Sequence, residues 1–597
     1  MRFRERGFLM QNRLPGRHRA LPMVVSLAFV ASLIGWSAPA TSAATLCATP
    51  PPVVDVSNLT PGTTGTAWTV VEGTTPVSFD VEVLGVLPDG IAPGIDFILI
   101  QVSGPVIDET GGIAAGMSGS PVYVGGDLAG AISYGFFGAD PTIGGMTPAA
   151  SMVHILDFPQ PPSPAPVKLN PTLQRAFARA SEATTVASAP TVAKPITVPL
   201  SVSGLGASSG KAQSRLQHWM TKNGSPFAVT TGASAQAPGG APLGAPPVAG
   251  GAIGAAYSYG DATFGAIGTA TFVCDDEVVA FGHPFNHSGE TTLALTNANI
   301  IHTIPDPSQV FGAFKFGQIT DTSGIVTQDR LAGIAGITGT APELTPVTSD
   351  LTYTPLGTSD QGSTQVASQE YLPYISYAHT YYNVATITDA DGPGSGTLDL
   401  TVNGTDEAGD PWTVSISDTY SSEYNLADEV GYYGVYRTLS ELVYQRFEDI
   451  DVDSVDISGS LSDEDLTARV KKVLSRTNQQ HAFKQRHTIQ VHRGGRIDLR
   501  VVILPTDSDT PVTVDLRIDV PGKLRGSGDL LVIGGGFRLR DHVKSFADLV
   551  DSLNHQPKRS DVSAAIFGRG LRDPKVVSEP SGYVLQGVER LNIRIVH

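Results

Sequence analysis

Cysteine is nearly missing from this chain: two in 597 residues, too few for a disulfide scaffold. Charge is also sparse, at 16% of residues against roughly 25% in ordinary soluble domains. With 41% hydrophobic residues, that composition excludes a disordered acidic protein. Basic residues are the scarcer sign, with 39 Lys and Arg against 57 Asp and Glu and a formal net charge of −18. Nucleic acid and anionic membrane surfaces are therefore poor partners. Beyond the N-terminus no apolar run reaches the roughly 18 residues that would mark a spanning helix.

Glycine and proline are plentiful, at 65 and 43, yet below the roughly 25–30% share that signals a low-complexity chain. Together with frequent Thr and Val they suit many short strands joined by turns. The length implies several domains.

The N-terminus carries an address. Arg2, Arg4, Arg6, Arg13, Arg17 and Arg19 precede an apolar run from Leu21 to Trp36, and small residues follow at 37–44. A basic region, an apolar core and a small-residue cleavage zone make a secretory signal peptide over 1–43. An uncleaved anchor is the alternative. Leu46 before Cys47 argues against lipidation. The mature chain would be secreted, more acidic still, and without a membrane span. Export permits Cys47 and Cys274 to pair; two free thiols are the other reading.

Residues 44–160 read as strands, with FDVEVLGV at Phe79–Val86, FILIQV at Phe97–Val102, and turns at Pro88-Asp89-Gly90 and Pro93-Gly94. A Pro-rich stretch at 158–166 ends that unit. Residues 161–250 form a Pro/Ala/Gly-rich linker with a helix near Leu173–Ala183 and a strand at Ile196–Val202. Dense strand pattern returns over 251–350. In 351–457 the alternation over Tyr371–Val402 suits a sheet, Leu439–Phe447 an amphipathic helix, and Asp449–Ile457 a strand with one acidic face. Residues 458–597 read as a β-sandwich-like domain, with a helix at Ser545–Asn554.

The sharpest local feature is Gly116-Met117-Ser118-Gly119-Ser120-Pro121. A serine between glycines on a tight turn exposes its hydroxyl where backbone N–H groups can converge, which joins a nucleophile to an oxyanion hole. An ordinary Gly/Ser turn is the bland alternative. A base would come from histidine, and His283 in Phe281-Gly282-His283-Pro284-Phe285 closes a strand pattern with a turn. His287 and Glu290 lie close behind, but Pro284 opposes the helix that would align two imidazoles on a metal. No metal and no organic cofactor is expected. Phe136, Phe137 and Phe285 would rim a substrate pocket or simply fill the core.

The stretch FDVEVLGV … FILIQVSGPVIDETGGIAAGMSGSPVYVGGDLAGAISYGFFGADPTIGGMTP, with GAIGTATFVCDDEVVAFGHPF and GIVTQDRLAGIAG, resembles the SpoIVB-type sporulation serine peptidase domain. The likeness covers roughly residues 60–155 and 250–345. It implies a mainly β fold, a chymotrypsin-like double β-barrel in two halves, followed here by β-rich C-terminal domains with a few helices. It implies Ser118 as nucleophile, His283 as general base, and the N–H groups of Gly116 and Ser118 as oxyanion donors. It departs from the family in two respects. The Ser segment precedes the His segment, so the halves look permuted. Ser103 stands where the family has its aspartate, which leaves Asp108 or Asp96 as third member, or a Ser–His dyad. The expectation is an exported serine endopeptidase acting on proteins or peptides. The competing expectation is a secreted binding module of weak or lost activity that contacts the cell surface through its C-terminal region.

Overall fold

The computed structural model describes residues 47–157 and 243–596, apart from 137, 309–311 and 536–542, together with short strands and isolated residues between 167 and 231. The leader, the Pro-rich stretch at 158–166 and the expected helix at Leu173–Ala183 lie outside the described residues.

Six strands build the first barrel: β1 (Thr64–Thr69), β2 (Val77–Ala92), β3 (Ile95–Ser103), β4 (Pro121–Val124), β5 (Asp127–Gly135) and β6 (Ile143–Pro148). Along β2 the alternation turns Phe79, Val81 and Val83 inward and leaves Asp80 and Glu82 exposed. The antiparallel order β1-β2-β3-β6-β5-β4 closes when β4 pairs back to β1, Ala67 opposite Val122. Closure removes the free edges on which such short strands would otherwise aggregate. The expected turn at Pro88-Asp89-Gly90 is instead a bulge inside β2, with Asp89 at φ 52°. The carboxylates of Asp96 and Asp89 accept the N–H groups of Asp89 and Gly94, so the chain reverses at Pro93-Gly94.

The second barrel repeats that order with β7 (Ala252–Gly260), β8 (Phe264–Cys274), β9 (Glu277–Ala280), β10 (Gly289–Ile304), β11 (Phe314–Arg330) and β12 (Gly333–Thr338). The pairing of β7 with β8 closes it. β7 is buried at every position, as a run with protein on both faces must be. The barrel core holds Ile253, Phe264, Val278, Leu293, Val326 and Ile334. The two closed six-stranded barrels are the double-barrel fold expected from the sequence.

Cys47 and Cys274 are disulfide-bonded across 227 residues of chain. Closing so long a loop restricts the unfolded chain by about 5 kcal/mol in the entropic account. A Cys47→Ser, Cys274→Ser double variant should therefore unfold at lower temperature than wild type. Coincident melts of the two proteins, with and without reductant, would contradict a stabilising role for the bond.

The sheet of the second barrel runs on through Thr358–Val366, Thr345–Tyr353, Ile450–Ser462, Gly394–Asp406 and Pro411–Ser422. Ile450–Ser462 exposes Asp451, Asp453 and Asp456 on one face, as expected. Tyr371–Val402 corrects the sheet reading. Its first part is a helix, Leu372–Thr388, and only Gly394–Asp406 is strand. Pro373 in the first turn suits a helix start. The helix is buried around most of its circumference, which erases the amphipathic period that would have revealed it. Leu426–Val443 is also helical throughout, with a π-helical segment at Val430–Tyr436. Beyond Thr467 two five-stranded sheets share one core of Leu499, Val501, Leu530, Val532 and Ile593. The helix Phe546–Asn554 is capped by the Ser545 hydroxyl, which accepts the Asp548 N–H.

Candidate functional site

The turn carrying Ser118 lies between β3 and β4, and the second barrel grips it. Ala115 donates to Ala313 O and accepts from Lys315 N, at 2.7 and 2.9 Å. From β8, Thr269 N donates to Ser118 O at 2.9 Å, and the Thr269 hydroxyl donates to Gly116 O at 3.0 Å. Thr271 Oγ1 adds a bond to Gly119 O at 2.8 Å. The turn's own bonds run from Met117 N to Ala114 O and from Ser120 N to Met117 O. Ser120 also donates its hydroxyl to Met117 O at 2.6 Å, so that hydroxyl is engaged in the turn. Among the described residues the N–H groups of Gly116 and Ser118 have no partner.

Gly119 is a point of close approach between the barrels. A β-carbon there would lie 2.0 Å from Thr269 O and 2.5 Å from Phe281 N, and φ is +95°. Only glycine fits that approach. It sets the Ser118 turn against the segment leading to His283.

His283 follows β9 after Phe281 and Gly282, both at φ 70°. For the bulky Phe281 this is a genuine outlier, of the kind that clusters at working sites. The first barrel holds the turn in place, since Thr147 Oγ1 donates to Gly282 O at 2.6 Å. His283 Nδ1 lies 2.7 Å from Pro284 O. A carbonyl only accepts, so Nδ1 carries the hydrogen, and in the neutral ring Nε2 keeps its lone pair. Burial holds the imidazole down at about pKa 4, and the Pro284 bond opposes that shift.

Ser118 is 0% exposed and His283 1%. Among the described residues neither Ser118 Oγ nor His283 Nε2 has a hydrogen-bond partner, so they are not bonded to each other in this state. Two orphaned buried polar atoms need an explanation.

Asp108 is exposed on the short helix Pro105–Thr110 and makes no hydrogen bond with His283. Asp96 is occupied with Asp89, and Ser103 is exposed at the end of β3. Phe285 is core, packed on Phe281 and Tyr257, whereas Phe136 lines a pocket. Its other walls include Ile113, Ala115, Ala139, Ile143 and Ala313. Phe137 lies outside the described residues. The one carboxylate in that pocket, Asp306, accepts from Ser308 and from Gly312 N. Among the described residues no cluster of His, Cys, Asp or Glu could hold a metal ion. Nor is any helix there long and apolar enough to cross a membrane.

Three residues near the turn escaped the sequence reading. Thr269 and Thr271 sit in an ordinary strand pattern. Lys315 is the third, and it is 4% exposed. Its stem packs under Gly116, and its amine donates to Thr69 Oγ1 at 2.8 Å and Thr269 Oγ1 at 3.1 Å. With no carboxylate beside it, burial brings the amine down to about pKa 7.

Residues 40–153 match the family described as SpoIVB peptidase S55. The match takes in the first barrel with its Ser118 turn and stops short of His283. No curated protein and no solved structure matches the chain.

Proposed function

We propose that the chain is an exported serine endopeptidase that hydrolyses peptide bonds through an acyl-enzyme at Ser118. The observation that carries the proposal is the pair of orphaned atoms. Ser118 Oγ has a proton to give and no acceptor, His283 Nε2 has a lone pair and no donor, and their turns meet at Gly119. In the reaction Oγ attacks the scissile carbonyl while Nε2 takes its proton. The oxyanion is met by the free N–H groups of Gly116 and Ser118. Collapse of the intermediate breaks the C–N bond, and the proton on Nε2 passes to the leaving amine. Water then repeats the sequence on the ester and restores Ser118. Chain order does not matter to this chemistry, so the Ser-bearing barrel can precede the His-bearing one. The small apolar pocket beside Ala115 suits a small apolar side chain ahead of the scissile bond. The Arg-rich leader and the Cys47–Cys274 bond support export.

Labelling of the purified mature protein with a fluorophosphonate tests the assignment. Wild type and Ser120→Ala should be labelled, and Ser118→Ala should not. Labelling of Ser118→Ala would end the proposal. Since Ser118 is closed to solvent, the reaction needs an opening motion and should be slow. That closure is also what favours the second reading, a binding module without turnover. No labelling of a folded wild type would select it.

A further inference from the structure

The reading of Ser118 and His283 leaves the imidazole without a carboxylate, and this inference rests on that reading. We propose that Asp329 is the positioning carboxylate of the site and that it acts on His283 through the Pro284–Phe285 peptide.

The geometry is a chain of two bonds across one amide. His283 Nδ1 donates to Pro284 O at 2.7 Å, and the N–H of the same peptide unit, that of Phe285, donates to Asp329 Oδ1 at 2.7 Å. A trans peptide is planar, with its C=O and N–H pointing in opposite directions. The donor directions therefore line up from the ring through the amide to the carboxylate. A carboxylate on the N–H polarises the amide and makes its carbonyl a stronger acceptor, by about 10–30% per bond in such chains. That acceptor fixes the tautomer of His283 and stabilises the imidazolium formed when Nε2 takes the serine proton.

The carboxylate is held so that it cannot turn away. Oδ2 accepts from Asn286 N at 2.7 Å, Ser288 N at 3.0 Å and Ser288 Oγ at 3.1 Å. Asp329 is 0% exposed and lies near the end of β11, paired with Gly289 on one side and Ile334 on the other. Burial raises its pKa above the ordinary carboxylate value, and the four bonds from Ser288, Asn286 and Phe285 oppose that shift. Such a buried acceptor is costly unless its donors are in place. Here all four come from the loop that begins at His283. Asp108 offers none of this.

The test is the pH profile of Ser118 phosphonylation by a fluorophosphonate, with loss of fluoride, in Asp329→Asn. The titratable groups facing Asp329 are His287, Tyr257 and Tyr371. Both proteins therefore carry His287→Gln, and the two phenols titrate far above the acid range. The variant should react about 10²-fold more slowly with the probe, less than the roughly 10⁴ lost when a carboxylate touches the imidazole directly. Its acid limb should move to lower pH, because the imidazolium has lost stabilisation. A purely structural role would lower the folded fraction and leave the limb in place. An unshifted limb with wild-type rate overturns the relay while leaving Ser118 as nucleophile, provided Ser118→Ala stays unlabelled. If Asp329→Asn does not fold, nitrogen-15 histidine spectra of the wild type decide the matter. Neutral His283 should carry its proton on Nδ1, and a proton on Nε2 overturns the proposal.

Discussion

Replacing His283 with Gln should slow acylation of Ser118 by about 10²- to 10⁴-fold, the usual contribution of a positioned general base. Glutamine keeps a donor for the Pro284 carbonyl and fills most of the cavity, so the loss isolates the missing lone pair. In wild type the rate should fall as pH drops through about 4, where the buried imidazole takes a proton. The Gln variant should show no limb there. The same depressed value acts on stability. Between the ordinary 6.5 and about 4 the unfolded chain binds the proton and the native chain does not, so wild type loses stability as pH falls through that window. The Gln variant lacks that component. A His283→Gln protein that acylates at the wild-type rate would remove His283 from the mechanism.

Lys315→Met should raise stability, and by an amount that depends on pH. The amine falls from 10.5 to about 7 on folding, so in that interval the unfolded chain binds a proton that the native chain releases. Wild-type stability therefore climbs as pH rises from 7 towards 10.5, and the desolvation cost is present in full below 7. At about 1.4 kcal/mol per pKa unit the cost reaches up to about 5 kcal/mol. Methionine carries no charge and matches the stem that packs under Gly116. The two threonine hydroxyls it leaves behind lie 3.4 Å apart and can bond each other. Urea melts at pH 6 and pH 10 should show a wide gap between variant and wild type at the lower pH and a narrow one at the higher. A gap independent of pH would mean the amine is not desolvated as described.

The first barrel uses strands whose alternation is plain in the chain, such as Phe79–Val86, whereas β7 of the second is buried at every position. The reading failed at Tyr371–Thr388, where a helix buried on nearly all sides carries the Tyr, Ile, Val and Thr usual in strands. It failed also at Pro88-Asp89-Gly90, because a bulge and a turn use the same residues. The site divides along the same line. Ser118 and His283 stand in short motifs whose glycines and turn chemistry are local. Asp329 was overlooked because a buried acid inside a strand resembles any acid at a strand end until its donors are known.

The amino-acid sequence alone determined the β character of the chain, the serine turn, the histidine turn and the cysteine pair available for bonding. The first three follow from interactions among residues a few positions apart, where backbone period and turn preference act, and the cysteine pair from a simple count of two. Tertiary structure decided that two barrels close in the same order, that Gly119 meets Phe281, that Thr269 and Lys315 meet at the Ser118 turn, and that Asp329 meets the loop after His283. Those contacts join residues far apart in the chain, and the backbone hydrogen bonds that create them look the same for every sequence. Only packing in three dimensions could select them.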